Sequence, residues 1–365
     1  MKVLKRLFTL FLIVSIIYML YYLYTNFKKD NISLGSLNMP FYSGTPESVL
    51  NVSSYTAFQS PNISGVETSS PNTSSGKHYY RYYYDQLDSN AKIIYEKLES
   101  NIDNLKKTNY RLDFSTQFNE FLNQSGGPGR LSASFQASID AFFYDHPELF
   151  YIDLTKMSLY TKSTSFAGRT TYNISIVPDN SSNYLDNTFA TEEIASDAEK
   201  KVEAIRQSFI NQLSGSDYDK VKQVHDTLAN MLDYDKTYSR PNTHNIYGAL
   251  VEKNVVCEGY AKAFKYILDS LNIPCILVGG NATNSSGKTI AHMWNYVQLE
   301  NTWYAVDITW DDPIIIGGNS IKNNIRHDYF CKGSSVFNKN HFISNSISDN
   351  GLDFKLPTLS IFEYK

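Results

Sequence analysis

Apolar residues recur every three or four positions in four stretches of this chain, and each such stretch predicts an amphipathic helix. The first runs over about 90–107, with Ile94, Leu98, Ile102 and Leu105 on one face and Asp88 or Ser89 as its cap. A second, over about 132–144, carries Phe135, Ile139, Phe142 and Phe143, and Pro147 ends it because the residue before a proline is pushed out of the helical region. Two more cover 191–213, with Ile194, Val202, Ile205, Phe209 and Leu213, and 218–232, with Val221, Val224, Leu228 and Leu232. Strand-like runs stand at 149–152, 157–161 and 170–177. In the last, Tyr172, Ile174 and Ile176 alternate with Asn173 and Ser175.

Candidate chemistry begins where the pattern changes. After the β-branched pair Val255-Val256, helical spacing sets in at Ala261, Phe264, Leu268 and Leu271, so Cys257 falls at or near a helix start. Unpaired N–H groups and the positive end of the helix dipole favour a thiolate there. Downstream, two strand patterns at 292–299 and 302–309 flank Glu300-Asn301 and predict a hairpin with a two-residue loop. If Leu299 pairs with Thr302, Asp307 falls opposite Trp294 and diagonal to His292, on the same face. Diagonal neighbours lie about 7–8 Å apart at the backbone, within reach of an imidazole and a carboxylate. A slip of one residue would put the two on opposite faces.

These residues sit in blocks that resemble a known family. The blocks are Tyr247-Gly248-Ala249-Leu250, Val256-Cys257-Glu258-Gly259-Tyr260, Leu271-Asn272-Ile273-Pro274-Cys275 with Val278-Gly279-Gly280, His292-Met293-Trp294-Asn295, and Trp303 through Asp307 to Asp311-Asp312. With Asp328-Tyr329-Phe330 and Asn340-His341 closing the series, residues 195–345 resemble the transglutaminase-like superfamily of papain-type cysteine enzymes, in a bacterial-type, membrane-anchored form. The stretch from Asp145 to Tyr151 is similar to the region that precedes the core in bacterial relatives. The resemblance implies an α+β fold in which a nucleophile helix packs on an antiparallel sheet, preceded here by an α+β accessory region. It also implies Cys257 as nucleophile, His292 as general base and acid, and Asp307 as the residue that orients His292. Ile308 departs from the pattern, since many relatives carry proline there. Such a triad forms an acyl-thioester from an amide. Water then gives a peptidase or amidase and an amine gives transamidation, while a cleft without chemistry would only bind peptide or cell-wall polymer. Hydrolysis is the expectation, because no site for a second amine is visible. The backbone N–H of Cys257 is one expected oxyanion donor, and Asn245, Tyr247 and Trp294 are candidates for the other.

Composition narrows the partners. A net charge of −4 argues against nucleic acid and leaves a protein or peptide substrate, at a cell surface or wall. The seven histidines form no zinc pattern, and no glycine-rich loop fits a nucleotide, so neither metal nor cofactor is expected. Gly126-Gly127-Pro128-Gly129 reads as a plain loop, while Asp311-Asp312, Asp217 and Asp219 read as helix caps or solvated turns rather than a calcium site. His146 and His225 read as structural. Cys275 and Cys331 are expected either to pair or to stay buried.

The amino terminus predicts the location. Lys2, Lys5 and Arg6 precede an uncharged stretch over 7–25, followed by Lys28 and Lys29, which reads as an uncleaved signal-anchor with the body extracytoplasmic. A Ser/Thr/Asn-rich tether follows. The expected layout is anchor 1–29, tether 30–77, accessory region 78–190, catalytic domain 191–345 and tail 346–365.

Overall fold

The computed structural model describes residues 80–167, 169–179, 181–237, 239–312, 325–343 and 352–365. The expected anchor and tether lie outside the described residues, among which no helix is long and apolar enough to cross a membrane.

Helix α1 (Ser89–Glu99) starts where Asp88 accepts the Ala91 N–H at 2.8 Å. It is shorter than expected. The Asn101 side chain captures the Lys97 carbonyl at 2.8 Å and closes the helix, leaving Ile102–Leu105 as a separate turn. Helix α2 (Gly127–Asp145) is longer than expected, because the glycine-rich stretch is its first turn and not a loop. Pro128 sits in that turn, where its missing N–H would be unpaired in any case. The run at 149–152 is no strand. Only Ile152 bridges to Leu185, and Tyr151 turns its ring into the core.

Three strands form the accessory sheet in the order β1 (Leu112–Ser115), β3 (Arg169–Pro178), β2 (Met157–Phe166), all antiparallel. The sequence pattern had not marked β1. Helix α3 (Glu192–Ile210) is capped by Thr191, and α4 (Asp217–Met231) by a Ser216–Asp219 capping box. On α3 the buried stripe is Ala195, Ala198, Val202 and Phe209, so Ile194, expected inside, is exposed.

The core places helix α5 (Cys257–Asp269) against a four-stranded antiparallel sheet. The strand order is β6 (Thr302–Val306), β5 (Thr289–Leu299), β4 (Cys275–Thr283), β7 (His341–Ile343). The hairpin register is the predicted one, with Leu299 opposite Thr302 and Asn295 opposite Val306. Glu300 and Asn301 both take positive φ, 50° and 60°, which is what a two-residue turn matching the strand twist requires. The expected second strand stops early, at Val306. Asp307 caps a single helical turn, α6 (Ile308–Asp311).

One buried apolar cluster runs from Tyr83 to Leu359, so the accessory region and the core share an interior. Tyr83 and Tyr144 stack at 4.7 Å, and the Tyr83 hydroxyl donates to the Leu277 carbonyl on β4. Gly279 is needed at this seam, since a Cβ there would lie 2.8 Å from the Tyr144 hydroxyl. Lys265 of α5 is a second tie. Its ammonium lies 3.0 and 2.9 Å from the two oxygens of Asp269, and it donates to the carbonyls of Cys275 and Tyr80 at 3.2 Å each. Residues 352–365 lie back on the body, where Leu359 bridges to Trp303 and Lys355 bonds to Gln86 at 2.7 Å.

Candidate active site

Cys257 is the first residue of α5, following Val256 as cap, and it is half-buried. Its N–H has no acceptor within the helix, whereas the Gly259 and Tyr260 N–H groups donate to the Val256 carbonyl at 2.9 and 3.3 Å. The helix can approach this closely because Gly259 has no side chain. A Cβ there would sit 2.5 Å from the Val255 Cβ and 2.8 Å from the Thr243 carbonyl.

His292, on β5, is buried, and its Nε2 lies 2.7 Å from Asp307 Oδ2. Asp307 is fixed from several sides. Its Oδ1 accepts the Trp310 N–H at 3.2 Å, and its own N–H donates to the Tyr329 carbonyl at 3.1 Å. Burial pushes the His292 imidazole down, but the Asp307 charge, then that of Cys257, and hydrogen bonds to both raise it to about 10. Burial would likewise lift the Asp307 carboxyl, yet the His292 charge and the hydrogen bonds of His292 and His341 hold it well below the usual carboxylate range. With Nε2 given to Asp307, Nδ1 is the nitrogen left for the thiol. The three elements therefore bring thiol, imidazole and carboxylate into one line of proton contacts. That arrangement can hold a thiolate–imidazolium pair and later return the proton to a leaving group.

The three candidate oxyanion donors are placed differently. Trp294 is buried beside His292, with ring centroids 6.1 Å apart. Asn245 is engaged in its own turn, its Oδ1 accepting the Gly248 N–H at 3.0 Å and its amide donating to Asn242 at 3.3 Å. Tyr247 stacks on Phe150 at 5.8 Å and meets Phe189 edge-on at 5.2 Å.

Three groups near the site had no role in the sequence reading. His341 Nε2 lies 3.1 Å from the same Asp307 oxygen that His292 uses. Its only sequence signal was its place in the last block of the resemblance, since 34 residues of chain separate it from Asp307. Glu258, next to Cys257, is buried and pairs with His244 at 2.8 Å and Lys262 at 2.7 Å. Burial pushes its carboxyl up, and the Lys262 charge with the hydrogen bonds of His244 and Lys262 more than reverses it. Asp311 and Asp312, expected as caps or solvated turns, are fully buried anchors. Asp311 accepts from the Tyr329 N–H and meets His225, and Asp312 accepts the Tyr260 hydroxyl at 2.6 Å.

A cleft of about 230 Å³ opens beside Glu258, between α2 with the segment after it and the core. Phe143, Leu149 and Phe150 line it on one side and His244, Asn245 and Lys262 on the other. Away from the site, atoms of His225, Asp226 and His327 lie within 4.8 Å of one another, close enough to hold a metal ion. They are already satisfied by each other at 2.9 and 2.7 Å, and the Lys222 ammonium 2.6 Å from Asp226 opposes a cation there.

Burial pushes the thiols of Cys275 and Cys331 far up, and both are free. Iodoacetamide should therefore label only Cys257 in the folded protein, read by mass spectrometry of its peptides. Labelling of either other cysteine before unfolding would contradict this packing.

Residues 204–308 match the Transglutaminase-like superfamily. The kyphoscoliosis peptidases of Mus musculus and Homo sapiens are each 23% identical over 141 residues, covering 36% of this chain. The match spans only 21% of the length of either relative. Among solved structures, a TGase has a TM-score of 0.30 at 18% identity, covering 45% of this chain and 47% of that one. The periplasmic domain of TgpA from Pseudomonas aeruginosa has a TM-score of 0.23 at 19% identity, covering 39% and 55%. Cys257, His292 and Asp307 all lie inside the stretch that matches the Transglutaminase-like superfamily, residues 204–308.

Proposed function

We propose that this chain is a cysteine enzyme that hydrolyses amide bonds of a peptide or isopeptide through an acyl-thioester on Cys257. The observation that carries the proposal is the His292 imidazole held at 2.7 Å by Asp307 and raised, against its burial, to a value that keeps it charged beside the Cys257 thiol. The Cys257 sulfur attacks the carbonyl carbon, and the charge gathering on oxygen meets the free N–H at the start of α5. As the C–N bond breaks, His292 gives its proton to the leaving amine. Water, deprotonated by His292, then attacks the thioester, and the proton returns to the departing sulfur. The kyphoscoliosis peptidase match is in keeping with proteolysis. The uncharged stretch at 7–25 supports a membrane-anchored enzyme acting outside the cytoplasm on cell-surface or cell-wall protein.

The test is iodoacetamide labelling of the full chain from pH 4 to 9, with Cys257→Ala and His292→Ala beside the wild type. One thiol should react well below pH 8, and both variants should lose that reaction. An ordinary thiol curve, or one indifferent to His292, would leave a peptide-binding module in place of an enzyme. Peptide substrates offered with and without a primary amine then separate hydrolysis from cross-linking, since a product that incorporates the amine rejects the hydrolase.

A further inference from the structure

We propose that His341 is a positioning residue for the same site, a neutral imidazole whose Nε2–H fixes the Asp307 oxygen that receives His292. The inference rests on the reading of Cys257, His292 and Asp307 as a triad. His341 opens β7 at the far edge of the sheet, and its Nε2 lies 3.1 Å from Asp307 Oδ2, the oxygen 2.7 Å from His292 Nε2. Two imidazoles thus converge on one carboxylate oxygen. They cannot both be cations at low cost, because the rings stand 5.7 Å apart in a buried site.

The surroundings decide which ring is neutral. His341 stacks on Phe337 at 4.0 Å, with Trp310 at 4.7 Å and Trp294 edge-on at 5.1 Å, so it sits among apolar rings. Burial lowers its affinity for a second proton, and the charge on His292 lowers it further, although Asp307 and the Phe337 carbonyl act the other way. A neutral imidazole has one N–H, and a carboxylate can only accept, so that N–H is on Nε2. Nδ1 is then an acceptor. It lies 2.8 Å from Asn340 Oδ1, and Asn340 Nδ2 donates to the Tyr329 hydroxyl at 2.8 Å. Turning this amide end for end, an exchange of oxygen and nitrogen within the same space, gives Nδ1 a donor and the Tyr329 hydroxyl an acceptor.

The arrangement has a purpose that a cation could not serve. A lysine or arginine at this position would pin Asp307 equally well but would take up part of the charge that keeps His292 protonated. A neutral donor holds the oxygen in place and leaves that charge to His292.

The experiment is the pH profile of Cys257 alkylation in the full chain. His341→Phe keeps the ring volume and removes the donor. Its rate at pH 6 should fall roughly ten- to a hundredfold, the scale of one hydrogen bond to a charged group, and its inflection should move toward the free-thiol value of about 8.5. His341→Gln, which returns an N–H at similar reach, should recover most of the rate. A folded His341→Phe protein whose profile superimposes on a low-pH wild-type profile overturns the role of His341 and leaves the triad standing. A wild type with an ordinary thiol curve removes the triad, and this inference with it. Should His341→Phe not fold, spectra of the wild-type chain carrying nitrogen-15 histidine decide the matter. The Nε2–H form of His341 supports the proposal, and the Nδ1–H or charged form refutes it.

Discussion

Asp307→Asn should leave a folded protein in which Cys257 reacts like any exposed thiol and amide turnover falls by roughly ten-thousandfold, the scale seen when a triad loses this carboxylate but keeps its geometry. The amide fits the space, yet it brings no charge. His292 loses the influence that overcomes its burial and raises it to about 10, so at neutral pH it becomes a neutral ring free to take either tautomer. Stability should change with a definite pH signature. The raised value of His292 contributes stability below about 6.5 that is lost as pH rises through about 10. The depressed Asp307 contributes stability above about 3.8 that is lost as pH falls. The gap in Tm between wild type and variant should therefore be widest between those limits, at mildly acid pH, and should narrow toward pH 10. Thermal unfolding across pH 4–10 reads it, and a gap that widens above pH 8 would reject the proposed coupling.

Lys265→Met should destabilise the protein by about 3–5 kcal/mol above pH 7, where Asp269, its carboxyl lifted by burial to about 7, is ionised and would be left without its cation. Lys265 is held charged. Burial pushes its ammonium down, but Asp269 first and then Asp145 raise it above its ordinary value. The loss is also mechanical, since the same ammonium joins α5 to the Tyr80 and Cys275 carbonyls. In a body of this size the change corresponds to a drop in Tm of roughly 6–20 °C. Lys265→Met with Asp269→Leu removes both charges and should recover part of that loss, which separates the stranded carboxylate from lost packing. A single variant that melts with the wild type would mean that Asp269 is neutral in the folded state.

The sequence alone determined those features that depend on neighbours along the chain. Helical spacing placed the start of a helix at or near Cys257, since an N-terminus and a thiol are properties of one short stretch. Alternation and a two-residue loop set the register of β5 and β6, since a hairpin closes on itself and a slip would invert every side chain. Local signals misled where a nearby polar group competed with the helix. Asn101 ended α1 early, and the glycine-rich stretch before α2 was absorbed into it because Pro128 suits a first turn. Tertiary structure decided what lies far apart in sequence. His341 meets Asp307 across β4 and β5 only because a short strand adds to the sheet edge, and no spacing rule encodes that step. Lys265, Glu258, Asp311 and Asp312 read as ordinary polar positions until the fold removed water around them. Burial made their pairing obligatory, since an ionised group without water must find a partner, and the partner is chosen by the packing of elements rather than by order along the chain.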